Sequence, residues 1–204
     1  MKIAIITLEA FNELDSFVAS AILNRVPIDG WKAEICSPAP RVTSMNGVRI
    51  DAQQPLEFAN TADAVLFGSG MKTAEYAADP DFLSRLSLDP QRQFIGAQCS
   101  GSLILHRLGL TTDVVSTDTM TAPYLEKEGL KVSERPLHVE GNVATAGGCL
   151  ASHYLAAWLI ASATDWRTAA EIIHYVAPVG QKDDFTKRAK DVVLPLVSDS
   201  LKVA

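Results

Sequence analysis

Short apolar runs rich in β-branched residues punctuate this chain: KIAIITL (Lys2–Leu8), WKAEICS (Trp31–Ser37), AVLF (Ala64–Phe67), QFIGA (Gln93–Ala97) and NVATA (Asn142–Ala146). Runs of this length and composition read as strands buried on both faces. After the first run, ELDSFVASAILNRV (Glu13–Val26) spaces Leu14, Phe17, Val18, Ala21, Ile22 and Arg25 as a helix packed on a sheet does. Strand then helix, repeated, predicts an α/β chain with a mainly parallel sheet.

The stretches between the runs are consistent with that frame. A Met-Asn-Gly turn inside Arg41–Ile50 predicts a small hairpin excursion. Ala74–Leu88 has helical content but is interrupted at Pro80. Further helices are expected at Ser100–Arg107, Ala122–Glu128, Leu150–Ala163 and Trp166–Val176. Short strands are expected at Asp113–Ser116, around Val132 and at Leu137–Val139. Leu150–Ala163 is so apolar that burial against the sheet is predicted. From Gly180 the chain turns charged (QKDDFTKRAKD) and ends in a VVLPLV stretch, so residues 180–204 read as a helix broken at Pro195 or as an arm packing on a partner. With 204 residues, 48% of them hydrophobic, one domain spanning 1–204 is expected.

Several classes of function are disfavoured. The net charge is −6 and no segment concentrates Lys and Arg among aromatics, which argues against nucleic-acid binding. No run approaches the roughly 18 apolar residues of a membrane-spanning helix. The N-terminal run meets Glu9 early and lacks a small-residue cleavage site, so it reads as a strand rather than a signal sequence. Cys36, Cys99 and Cys149 are odd in number, far apart and without CxxC spacing, which predicts neither a disulfide framework nor structural zinc. A cytoplasmic protein with reduced thiols is expected.

Within Ala97-Gln98-Cys99-Ser100-Gly101, small residues stand two before and two after the cysteine, at a predicted strand-to-helix junction. A tight elbow carrying a strained nucleophile needs that spacing to avoid clashes. The following helix N-terminus is expected to favour the thiolate and lower the thiol pKa. The plainer alternative is a cysteine serving as a small buried hydrophobe, the reading given to Cys36 in its strand.

The sequence resembles the ThiJ/PfpI superfamily, and within it the isonitrile hydratase branch. The likeness is carried by IGAQCSGSLIL around Cys99, KIAIITLEAFNELD at the start, AVLFGSG after the third strand and GNVATAGGCLASHYLAAWLI further on. It implies a flavodoxin-like three-layer sandwich, a homodimer, and an elbow cysteine paired with an acidic residue from the loop after the first strand. That residue is Asp15, with Glu9 and Glu13 as rival carboxylates in the same loop. A carboxyl beside a thiolate is repelled unless one of them keeps a proton, so Asp15 is expected protonated, as a hydrogen-bond donor. Gly68, Ser69 and Gly70 stand where the family has its paired glycines, whose backbone amide helps form an oxyanion pocket. Asp118, Thr119 and Met120 fall on the family's substrate-lining segment.

The pattern also departs from much of the superfamily. Ser100 follows the cysteine where many members place histidine, and Thr117-Asp118-Thr119 lacks the downstream histidine of others. The isonitrile hydratases carry threonine directly after the cysteine, so Ser100 suits that branch, with its hydroxyl free to bond substrate. Without an imidazole base a protease-like triad is disfavoured. His106, His138 and His174 are expected away from the site, while His153 follows GGCLAS near the sheet's carboxyl ends and is weighed as a pocket residue; Cys149 is taken as a packing residue. The function implied is cofactor-free attack of Cys99 on a small electrophile, with isonitrile hydration first. A glyoxalase-type reaction, amidase or peptidase chemistry, and a cysteine redox sensor are the alternatives. A regulator with a fused helix-turn-helix is not expected, since fewer than thirty residues follow Val176.

Overall fold

The computed structural model describes residues 1–197. The first strand–helix unit is β1 (Lys2–Ile6) and α1 (Glu13–Leu23). Next come β2 (Lys32–Ser37), a hairpin of β3 (Arg41–Thr43) and β4 (Arg49–Asp51), and the short β5 (Gln54–Pro55). After a 3-10 turn at Leu56–Asn60 the chain forms β6 (Ala64–Phe67), α2 (Thr73–Ala77), α3 (Pro80–Ser84), β7 (Phe94–Gln98) and α4 (Gly101–Arg107). It continues through β8 (Val114–Val115), α5 (Ala122–Lys127), β9 (Lys131–Val132), β10 (Leu137–Glu140) and β11 (Val143–Ala146). A 3-10 turn at Cys149–Ala151 leads into α6 (Ser152–Ala163), α7 (Trp166–Val176) and α8 (Lys182–Val193).

The main sheet has strand order β10-β11-β7-β6-β1-β2-β5. Each neighbouring pair is parallel except β10 with β11. Both faces are covered, which is why the strands read as continuous apolar runs. Along β1, Ile3 and Ile5 enter the core shared with α1, α6, α7 and α8, whereas Ala4 and Ile6 enter the core shared with α4 and α5. The result is a three-layer flavodoxin-like sandwich, as expected. Burial of each isoleucine contributes about 1.5–3 kcal/mol.

Helix α6 lacks a polar face because it is covered from several sides: it packs on α1, α7 and α8 as well as on the sheet. Trp158 at its middle is 1% exposed and meets Phe94 edge-on at 5.9 Å. Pro80 ends one helix and starts the next, where Asp79 caps α3 by accepting from Asp81 N–H at 2.9 Å. In the charged tail α8 runs to Val193, and Pro195 sits in the closing 3-10 turn. Ala189, Val193 and Val197 are buried with α6 and α7, so this part of the tail packs on its own chain. Residues 198–204 of the predicted tail lie outside the described residues. No helix among the described residues is long and apolar enough to cross a membrane.

Candidate active site

Strands β1, β6, β7 and β11 lie side by side in parallel, so the loops leaving their carboxyl ends converge, as ligand-binding loops do in open α/β sheets. Asn12 and Asp15 follow β1, Gly68–Gly70 follow β6, Cys99 follows β7, and Gly147–Cys149 follow β11.

Cys99 has φ +50°, a left-handed conformation that costs an L-residue about 1–2 kcal/mol. Its backbone is fixed on both sides. The N–H donates to Ala146 O at 2.8 Å, and the carbonyl accepts from Ser102 Oγ at 2.7 Å and Thr117 Oγ1 at 2.9 Å. Thr117 thus serves the elbow from the segment where other superfamily members carry histidine. Gly101 has the role its spacing predicts, because a Cβ there would lie 2.8 Å from both Gly68 O and Phe67 O. The same close approach sets the GSG loop against the elbow: Ser100 Oγ lies 3.5 Å from Gly70 N.

The carboxylate of Asp15, Cys99 Sγ and Cys149 Sγ lie within 4.8 Å of one another. Asp15 and Cys99 are 3% and 2% exposed, while Cys149 is partly open. Ser69 Oγ donates to Asp15 Oδ2, and Asp15 Oδ1 is buried with no hydrogen-bond partner among the described residues. Asn12 holds the third member. Its Oδ1 caps α1 by accepting from Leu14 N–H at 3.1 Å, leaving its Nδ2 to donate to Cys149 Sγ at 3.1 Å. Gln98 Nε2 donates to Gly148 O at 2.9 Å and lies 3.9 Å from Cys99 Sγ.

Burial raises the Asp15 carboxyl to about 6, against hydrogen bonds from Ser69, Cys99 and Cys149 that favour its ionised form. Burial, followed by the Asp15 charge, pushes the Cys99 thiol well above its ordinary value, with the Gly148 backbone pulling the other way. This corrects the expectation of a lowered thiol pKa: desolvation beside a carboxyl outweighs the dipole of the short α4. The two groups titrate as a coupled pair, each one's negative charge raising the pKa of the other.

The rival carboxylates turn away. Glu9 accepts from Thr43 N–H at 2.9 Å, and Glu13 accepts from Ser44 Oγ and Asn46 Nδ2, so both hold the β3–β4 hairpin. Asp118 ties its own turn together, accepting from Met120 N–H at 2.8 Å and Thr121 Oγ1 at 2.7 Å; it acts on Asp15 and Cys99 only through its charge. Thr119 and Met120 are exposed. His106 pairs with Glu128 at 2.9 Å, and His138 and His174 lie beside Glu140 and Asp183. His153 lines a cavity of about 560 Å³ together with Cys149, Phe185 and Arg188. Its Nδ1 meets Leu150 O and its ring lies against Tyr154 at a 43° tilt, so it borders the Cys149 side without joining the cluster. Cys36 is a core thiol, pushed up to about 12 by burial. Sequence reasoning missed Asn12, Gln98 and the placement of Cys149 in the cluster.

The DJ-1/PfpI family model matches residues 1–162. Among solved structures, DJ-1 of Schizosaccharomyces pombe is 16% identical, with 92% of this chain and 98% of that one covered and a TM-score of 0.65. A ThiJ/PfpI family protein from Pseudomonas syringae is 20% identical over 94% of this chain and 90% of that one, with a TM-score of 0.74. A DJ-1 superfamily protein from Salmonella typhimurium is 20% identical over 86% of this chain and 97% of that one, with a TM-score of 0.72. At these identities the likeness is one of fold. No curated protein matches the chain.

Proposed function

The chain belongs to the DJ-1/PfpI family, and from that footing we propose that it is a cysteine-dependent enzyme for a small electrophile, hydrating isonitriles to N-substituted formamides. The carrying observation is the buried approach of Asp15 to Cys99 with no histidine beside them among the described residues. One carboxyl with a pKa of about 6 can both accept and return a proton near neutral pH.

The Cys99 thiol gives its proton to Asp15 as sulfur bonds to the terminal isocyanide carbon. Asp15 returns that proton to the same carbon, leaving a thioformimidate on Cys99. Asp15 then takes a proton from water as the hydroxyl adds to this carbon, and passes that proton to the nitrogen. Asp15 carries the proton of the added hydroxyl to sulfur as the C–S bond breaks, which releases the formamide and restores the thiol. Ser69 positions Asp15 through its hydroxyl bond, and the Gly70 backbone N–H, 3.5 Å from Ser100 Oγ beside the elbow, is the donor for negative charge on the substrate nitrogen. No step in this sequence requires a metal or organic cofactor.

A glyoxalase-type reaction on a 2-oxoaldehyde shares the first step, and so does a redox sensor's reactive thiol. The test is turnover of an isocyanide and of methylglyoxal by the native protein and by Cys99→Ala. The proposal expects formamide from the native protein and none from the variant. Turnover of methylglyoxal alone would move the assignment to the glyoxalase-type reaction. Neither substrate turning over while Cys99 oxidises readily would leave the sensor. The working form in this proposal is a cytoplasmic homodimer: exposed Leu150 and Val176 border an apolar cavity of about 350 Å³ with Val18 and Phe185, a surface suited to a second copy. Sedimentation at a monomer mass contradicts the dimer alone.

A further inference from the structure

We infer that Cys149 is a resolving thiol for Cys99, so that a hydroperoxide converts the pair to a reversible Cys99–Cys149 disulfide. This rests on Cys99 being the reactive sulfur, as proposed above, and not on any one organic substrate.

The two sulfurs already share one small cluster, within 4.8 Å. A disulfide needs about 2.05 Å between sulfurs, so closure takes a side-chain rotation and a small backbone shift. The more exposed partner is Cys149. The Cys99 backbone is held by Ala146, Ser102 and Thr117. Cys149 lies in a one-turn 3-10 segment behind Gly147-Gly148, with Gly148 at φ +85° and the Cys149 carbonyl accepting from Ser152 Oγ at 2.7 Å; its sulfur accepts from Asn12 Nδ2 at 3.1 Å and also meets Asp15. It also faces the cavity bordered by His153 and Phe185, the side from which a peroxide reaches the cluster. Cys36 lies in β2, in the core beside Ile6, and has no part in this cluster.

The steps balance. Cys99 passes its proton to Asp15 while sulfur attacks one peroxide oxygen; the O–O bond breaks, and the departing oxygen takes the proton from Asp15, giving a Cys99 sulfenic acid and water. Cys149 then attacks the Cys99 sulfur, the S–O bond breaks, and the hydroxide leaves as water with the Cys149 proton. Two thiols are oxidised and one hydrogen peroxide is reduced to two waters. The disulfide blocks the nucleophile and keeps it from further oxidation to sulfinic acid, which thiol reductants do not reverse.

The experiment exposes the reduced full chain, as native protein, Cys149→Ser and Cys149→Ala, to hydrogen peroxide and follows intact mass with a non-reducing peptide map. The native protein is expected to lose two hydrogens, to yield one linked peptide containing Cys99 and Cys149, and to regain its free thiols with dithiothreitol. Both variants are expected to add two oxygens at Cys99, irreversibly. Native Cys99 acquiring two oxygens while Cys149 remains free to alkylate would overturn the inference, and so would Cys99 staying reduced. The native map decides this even if a variant fails to fold. Isocyanide turnover by the same reduced sample reports separately on hydration: a disulfide without turnover contradicts the hydratase and leaves Cys149 as resolving thiol.

Discussion

Replacing Asp15 with asparagine should stabilise the fold while removing the acid–base group. In the folded chain the carboxyl is raised from 3.8 to about 6, chiefly by burial. A raised folded pKa means the native state holds the proton more tightly than the unfolded chain. The stability this gives is complete below the unfolded pKa and is lost as pH rises through about 6. Above that range the native protein carries the full cost of ionising a buried carboxyl, about 3 kcal/mol at 1.36 kcal/mol per pH unit. Asparagine keeps the shape and an oxygen able to accept from Ser69, but carries no charge. About 1 kcal/mol of the cost is already present at about pH 4.5, so the advantage of Asp15→Asn should grow by about 2 kcal/mol between about pH 4.5 and about pH 8. For a chain of this size that corresponds to a melting-temperature gap widening by about 4–8 °C. Thermal or urea unfolding of both proteins at the two pH values measures it. A gap that stays constant with pH, or that narrows on the alkaline side, would refute the raised carboxyl.

Ser69→Ala removes the hydroxyl bond that favours ionised Asp15, so the carboxyl should rise further and the acidic limb of the pH–rate profile should move to higher pH; an unmoved limb contradicts the positioning role. Gly101→Ala places a Cβ 2.8 Å from two backbone oxygens, and should cost about 1–3 kcal/mol in urea unfolding and slow alkylation of Cys99. Unchanged stability and alkylation would show that the elbow has slack.

The fold was legible because the central strands β1, β6 and β7 are buried on both faces and therefore read as apolar runs, with Pro80 and the Met-Asn-Gly turn marking boundaries locally. Cys99 was legible for a similar reason: Gly101 records in sequence the close backbone approach at the elbow. Strand adjacency leaves no such local trace, and this is why Cys149 read as packing. Once β11 is known to run parallel to β7 with Ala146 opposite Gln98, the residues after both strand ends must meet. Asn12 and Gln98 escaped notice because a cap and a strand-end amide look ordinary until a sulfur stands beside them. The Cys99 pKa was misjudged because helix direction can be read from sequence, whereas desolvation depends on long-range packing. Ser69 was weighed only for its backbone, and its hydroxyl proves to be the contact to Asp15.

The central claim is that Cys99 forms the bond to substrate with Asp15 managing the proton. Mixing the native protein with cyclohexyl isocyanide, quenching in acid within the first turnovers and mapping the modified peptide tests it directly. A mass increase of one isocyanide is expected on Cys99 in the native protein, with a slower appearance of the same adduct in Asp15→Asn and none in Cys99→Ala. Formamide production undiminished in Cys99→Ala, or an adduct carried by another residue, would contradict it.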